Sequence, residues 1–250
     1  MIELHDISQT FGNFHALRDI NLAVKEGTVT CVLGDNGAGK STLIKILAGL
    51  TPPTGGTITV DGDEVRFASP RDSLDAGIAT VYQDLALVPS LSVWRNFFLG
   101  QELTGALGRL RESEMKRITH DQLSDMGIVL GDVDVELSAL SGGQRQVVAI
   151  ARAIYFGARY IILDEPTAAL GVKQSGMVLR FIDAARERGM GVVFITHNPQ
   201  HAYLVGDHFV VLTVGEMSLN APKEAVSLPE LTQWMAGGDE LEELKQQLAR

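Results

Sequence analysis

Cysteine is nearly absent: Cys31 stands alone among 250 residues, which excludes a disulfide framework. It sits in an apolar run and is expected as a small core residue instead of a thiol catalyst. No run of about 18 uncharged apolar residues occurs, so no segment predicts a membrane-crossing helix. Excess positive charge is lacking too. Lys and Arg number 21 against 31 Asp and Glu, a net charge of −10. That balance argues against the broad basic surface of a nucleic-acid-binding protein. Internal repeats are missing, and Met1 leads into a mixed pattern with Glu3, His5 and Asp6, which predicts no signal peptide.

Hydrophobic residues make up 45% of the chain, ample for a packed core. The length suits one large α/β domain, or a core with a small subdomain. Val29–Leu33 is a β-branched apolar run of the kind that forms buried strands. Behind it come Gly34, Asp35, Asn36, Gly37, Ala38, Gly39, Lys40, Ser41 and Thr42. This stretch fits G-x-x-x-x-G-K-[ST], in which backbone N–H groups and a helix N-terminus cradle phosphates. A helix is expected from Lys40 to Leu50, with Leu43, Ile46, Leu47 and Leu50 on one face. Lys40 should reach the β- and γ-phosphates, Ser41 should ligate Mg²⁺, and Thr42 should meet the α-phosphate side.

Tyr160–Leu163 is a second apolar strand, and it ends on Asp164 and Glu165. Two adjacent carboxylates at a strand's carboxyl end are costly unless a cation or ligand needs them. Asp164 suits Mg²⁺, as in other P-loop ATPases. Alternating stretches at Ile2–Ile7, Ile20–Val24 and Thr57–Val65, the last turning at Asp61-Gly62, predict an antiparallel layer. Between Leu85 and Ala139 the pattern turns helical, at Val93–Gly100 and Ser113–Met126. Strands follow at Gly191–Thr196 and His208–Leu212. The fold class expected is α/β: a P-loop NTPase (RecA-like) core with a mainly parallel sheet, an antiparallel β layer and an inserted helical subdomain. The divisions read as 1–84 and 141–220 for the core, 85–140 for the subdomain and 221–250 for a helical tail. Within that tail, Asp239 to Arg250 shows Leu241, Leu244 and Leu248 at helical spacing.

Leu140 is followed by Ser141, Gly142, Gly143 and Gln144, opening a helix with Val147, Ile150, Ala151 and Ile154 on its apolar face. With the phosphate loop and the Asp164-Glu165 pair, this resembles the ATP-binding cassette of ABC transporters over nearly the whole chain. The resemblance implies the following roles. Glu165 is the general base, and His197, in Phe194-Ile-Thr-His197, is the switch histidine that meets the γ-phosphate. Gln83, after Ala79-Thr-Val-Tyr82, touches Mg²⁺ and water. Phe11 stacks on adenine, with Phe14 as the rival. Ser141 and Gly143 meet the γ-phosphate held by an opposite chain, so a second copy is required. His197 and His201 lie four apart, but Pro199 favours the first helical position and leaves His197 outside the helix, which argues against a shared metal.

The family pattern Ser-Ala-Leu-Asp after Glu-Pro-Thr is altered here to Ala168-Ala-Leu-Gly171, which bears on crosstalk between two sites. Gly171 remains an acceptable N-cap for a helix from Val172. The stretch Gln83–Gly100 resembles simple-sugar importers, with Arg95 in place of their glutamate. Expected cofactors are ATP and Mg²⁺. Expected partners are a second copy, membrane permease subunits and, indirectly, a sugar-binding protein, at the cytoplasmic face of the inner membrane. The alternatives are an ABC ATPase for a non-sugar substrate and a soluble ABC protein outside transport.

Overall fold

In the computed structural model, which describes residues 1–128 and 130–236, two sheets form around a shared helix. The central strand of the larger sheet is β3, Val29–Leu33, buried at all five positions. Unbroken burial is what a strand covered on both faces requires. The smaller sheet contains β1 (Ile2–Phe11), β2 (Phe14–Val24), β4 (Gly55–Val60) and β5 (Asp63–Val65), in the order β2-β1-β4-β5. All its pairings are antiparallel. Asp61 and Gly62 join β4 to β5 with φ of 56° and 90°, the paired positive φ of a type I′ hairpin.

The larger sheet adds β6 (Ile78–Val81), β7 (Tyr160–Asp164), β8 (Gly191–Thr196), β9 (His208–Thr213) and β10 (Glu216–Pro222). Its order is β10-β9-β3-β8-β7-β6, parallel throughout except for the edge pair β9–β10. Helix α1, Lys40–Leu47, lies between the sheets, its Leu43, Ile46 and Leu47 packed with Ile2, Leu4, Val32 and Ile162. On the other face of the large sheet, α6 (Val172–Glu187), α7 (Pro199–Val205) and α8 (Leu228–Met235) cover a second cluster that includes Cys31. Burial drives the Cys31 thiol pKa far upward, as befits a core residue.

A third cluster is helical. Val93, Trp94, Phe97 and Phe98 of α3 (Val93–Phe98) pack with Met115 and Leu123 of α4 (Glu112–Asp125) and Val147, Val148 and Ala151 of α5 (Gly142–Tyr155). Ala149 and Ile150 of α5 belong instead to the sheet-facing cluster, so this one helix ties both cores together. Asn96 is fully buried and bonds four times to the preceding loop: its Oδ1 accepts from Val88 N, and its Nδ2 donates to Val88 O, Leu91 O and Ser92 O.

Several boundaries differ from those expected. The helix starting at Lys40 stops at Leu47, because Gly49 turns to φ 71° and Leu50 N bonds back to Lys45 O, a Schellman ending. Leu50 is consequently half exposed. Strands β1 and β2 run on to Phe11 and back to Phe14, since Asp6 (φ 52°) and Asp19 (φ 47°) sit where the register shifts and alternation is lost. The helix α2, Pro70–Asp75, was not foreseen, although Asp72 Oδ2 accepts from Ala68 N and Ser69 N as a capping residue does. The helix expected over 239–250 lies outside the described residues.

Candidate nucleotide site

Parallel register assembles the site. Leu33 pairs with Thr196, Ile195 with Asp164, and Leu163 with Val81. One or two residues further along each strand bring Gly34, His197, Glu165 and Gln83 to the same carboxyl edge. That edge is where open α/β sheets hold ligands.

All three glycines of the loop from Gly34 to Gly39 have positive φ, and the two at its ends are also sterically closed to a side chain. Gly34 has φ 145°, and a Cβ there would stand 2.4 Å from Leu212 O. Gly39 has φ 106°, and a Cβ would stand 2.8 Å from Ala16 O. Both neighbours are backbone and cannot yield. Gly215 N donates to Ala38 O (3.0 Å) and Arg18 N to Gly215 O (2.8 Å), so the β9–β10 turn braces the loop. Nothing in the local motif signalled that contact. Lys40, 8% exposed, donates from Nζ to Gly34 O (2.5 Å) and Asp35 O (3.0 Å), which holds its ammonium across the loop. Asp35, Asn36, Gly37 and Ser41 are exposed, Thr42 is half-buried and Ala38 is buried.

At the end of β7, Asp164 is half-buried. Burial first, and then the neighbouring Glu165 charge, raises its pKa above the usual aspartate value, while Lys40 pulls it back. Glu165 occupies the left-handed region at φ 48°, with its N donating to Ile195 O at 3.0 Å. Its Oε1 pairs with His197 Nδ1 at 2.9 Å. A carboxylate only accepts, so Nδ1 carries the proton and Nε2 stays out of that bond. Glu165 Oε2 is buried with no protein partner among the described residues. Leaving it so costs on the order of 1–3 kcal/mol, the sign of an atom meant for something besides stability. The pair is asymmetric: the His197 side chain is 60% exposed and that of Glu165 12%.

His201 does not join His197. It lies within α7, its Nδ1 3.0 Å from Thr167 Oγ1, and burial followed by the charge of His197 lowers its pKa. Asn198 caps that helix, its Oδ1 accepting from His201 N at 3.0 Å. Gln83 is exposed just after β6. Next to it the pKa of Tyr82 is raised by burial and by Asp164, which shows how close this segment runs to the carboxylates.

Ser141 caps α5: its Oγ accepts from Gln144 N (3.3 Å), and Ser141 N donates to Gln144 Oε1 (2.9 Å). A Cβ on Gly142 would meet Leu170 Cδ2 at 2.9 Å, and one on Gly143 would meet Gln174 Cβ at 3.2 Å. This segment therefore packs on Leu170 and the start of α6. Gly171 does cap α6, its N donating to Gln174 Oε1 at 3.3 Å. Phe11 and Phe14 are Cα partners across the β1–β2 turn, both exposed and on one side of the hairpin.

A glycine-ended phosphate loop, a bracing lysine and paired strand-end carboxylates on this sheet order define a P-loop NTPase of α/β fold. Residues 17–168 match the family model described as ABC transporter, and the chain belongs to that family, whose members bind and hydrolyse ATP. It is 41% identical over 235 residues to the xylose/arabinose import ATP-binding protein XylG of Sulfolobus acidocaldarius, covering 94% of this chain and 93% of that protein. It is 38% identical to the fructose import ATP-binding protein FrcA of Rhizobium meliloti, covering 92% and 91%. A ribose import ATP-binding protein, RbsA 1 of Streptomyces coelicolor, is 38% identical, but this chain spans only 48% of it. Among solved structures, a dimeric bacterial ABC transporter cassette superposes with TM-score 0.74 at 29% identity, covering 89% of this chain and 99% of that one. An ABC cassette in its ADP conformation superposes with TM-score 0.82 at 22% identity, a likeness of fold.

The Asp164 carboxyl gives a pH signature. Its folded pKa lies above the ordinary 3.8, so the stability linked to its protonation is full below that value and is lost as pH rises through the folded pKa. Asp164→Asn removes the titration. Urea denaturation of both proteins between about pH 4 and 7 should show wild type losing stability relative to Asp164→Asn as pH rises. Parallel curves would contradict the assignment.

Proposed function

We propose that this chain is the ATP-hydrolysing subunit of an ABC importer for a simple sugar, of the pentose or fructose kind. The observation carrying the hydrolytic half is the Glu165 carboxylate: one oxygen on His197, the other buried and free to take a proton from water. Sugar import is supported by near full-length similarity to proteins named for xylose/arabinose and fructose import.

In this reading Gly34 to Thr42 bind the phosphates through backbone N–H groups, and the Lys40 ammonium exchanges its two loop carbonyls for β- and γ-phosphate oxygens. Ser41, Gln83 and Asp164 would hold Mg²⁺. The half-buried carboxyl of raised pKa at Asp164 fits a cation, which supplies charge neutralisation at the phosphates when bound. Glu165 takes the proton of the attacking water, while His197 orients the carboxylate through Nδ1–H and, once Nε2 also carries a proton, donates it to a γ-phosphate oxygen. Phe11 or Phe14 stacks on adenine. Ser141, Gly142, Gly143 and Gln144 serve the γ-phosphate on a second copy, so two chains complete two sites.

Between sheet and helical layer lies a cleft of about 290 Å³, lined by Tyr82, Leu85, Leu87, Gln101, Arg152 and Phe156 among others. It receives the permease, and Gln83 directly follows Tyr82 of its lining. The chain works at the cytoplasmic face of the inner membrane beneath separate permease subunits. No helix among the described residues is long and apolar enough to cross a membrane.

Glu165→Gln should retain ATP binding and lower turnover by a factor on the order of 10², as loss of a positioned base does. Lys40→Ala should weaken binding itself. Nucleotide-binding titrations and phosphate release separate the two, and near-normal turnover of Glu165→Gln removes the base role. Because nucleotide bridges two chains, Glu165→Gln should double in mass with ATP and Mg²⁺ and stay monomeric without them. Light scattering with no mass increase at high protein concentration contradicts this. Finally, ATPase of the chain alone should ignore sugars, whereas the reconstituted transporter should respond to a sugar-loaded binding protein. Unchanged uptake of every monosaccharide tested after gene deletion would overturn sugar import and leave the ATPase intact.

A further inference from the structure

The turn that carries Glu165 is held in a costly shape. Glu165 has φ 48° and Ala169 φ 57°, left-handed values that cost non-glycine residues on the order of 1 kcal/mol or more each. Such a turn persists only when its surroundings over-determine it. Three bonds do so here: Glu165 N to Ile195 O (3.0 Å), Ala168 N to Glu165 O (3.0 Å), and the contact between Thr167 Oγ1 and His201 Nδ1 (3.0 Å). Thr167 is buried, so its hydroxyl has no water to fall back on. His201 is itself fixed, since its N bonds to Asn198 Oδ1 and Asn198 N bonds to Thr196 Oγ1 (3.1 Å).

His197, ahead of the α7 cap, and His201, within the first turn of α7, therefore both reach the turn that carries Glu165. The first holds the carboxylate, and the second holds the Thr167 hydroxyl two residues further on. We propose that His201 is a positioning residue for ATP hydrolysis, fixing through Thr167 the turn that aims the Glu165 carboxylate. This rests on the reading of Glu165 as general base.

Histidine suits the position. The threonine hydroxyl can donate or accept, so the bond survives either imidazole tautomer. Its lowered pKa keeps His201 uncharged near neutrality and spares His197 a cationic neighbour.

The test uses the purified full chain with ATP and Mg²⁺, following kcat and KM separately. His201→Leu should lower kcat roughly tenfold, because small misplacement of a reacting group is expensive, and leave KM for ATP within about twofold. His201→Asn keeps a polar atom at the place of Nδ1 and should recover most of the loss. Thr167→Val should reproduce the His201→Leu defect, Thr167→Ser should not, and the double variant should be no worse than either single. The Thr167 pair carries the same test should His201→Leu fail to fold. Unchanged kcat in His201→Leu, equal losses in His201→Leu and His201→Asn, or additive losses in the double variant would each overturn the proposal. Near-normal turnover in Glu165→Gln is a different failure, that of the base assignment on which this one stands.

Discussion

In-register parallel pairing of β3, β8, β7 and β6 is the constraint on which the rest depends. Each strand leaves the sheet at its carboxyl end, and pairing sets how far along the edge each next residue stands. Shifting β7 by one position would flip every one of its side chains to the other face of the sheet and move Asp164 and Glu165 along the edge, because side chains alternate along a strand. The continuous burial of β3 and β8 guards against such a slip. Packing thus secures the geometry of a site whose own polar residues contribute little to stability, or cost some.

The molecule places that cost in a few positions. Glycines at the ends of the phosphate loop permit backbone conformations and close approaches that no side chain could share. Glu165 accepts a left-handed backbone and a buried, unpartnered oxygen. Asp164 accepts a raised pKa beside it. These features gather at one carboxyl edge of the large sheet, whereas the three apolar clusters around them are conventionally filled. Local conflict concentrated at one edge of an otherwise consistent structure is what a working site looks like.

Much of this was legible in the chain itself, for a reason that also marks the limit. The strand–loop–helix from Val29 to Leu47 is contiguous, so its spacing alone carries its geometry, and the apolar run ending at Asp164-Glu165 declares a strand end just as directly. Contacts between distant residues left no such mark. The brace from Gly215 to Ala38 and the bond from His201 to Thr167 join segments far apart in sequence. His201 drew notice only for its spacing from His197, which carries no information about Thr167. The bulges at Asp6 and Asp19 hid the length of β1 and β2 by breaking alternation. The cap of α8 was a different case: Ser227 and Glu230 form a capping box whose pattern stands in the sequence. Leu50 misled because it continues the helical stripe past a glycine that ends the helix.

Asn96 gives the helical layer a mechanical character. Its four bonds clip residues 88 to 92 onto α3, and α3 in turn is locked by aromatic packing against Tyr155 and Phe156 at the end of α5. A push delivered to that outer loop cannot be absorbed by bending, so it travels as the tilt of a stiff plate. The stretch from Gln83 to Leu87, pinned to the apolar clusters only through Leu85 and Leu87, is the link between that plate and the sheet edge.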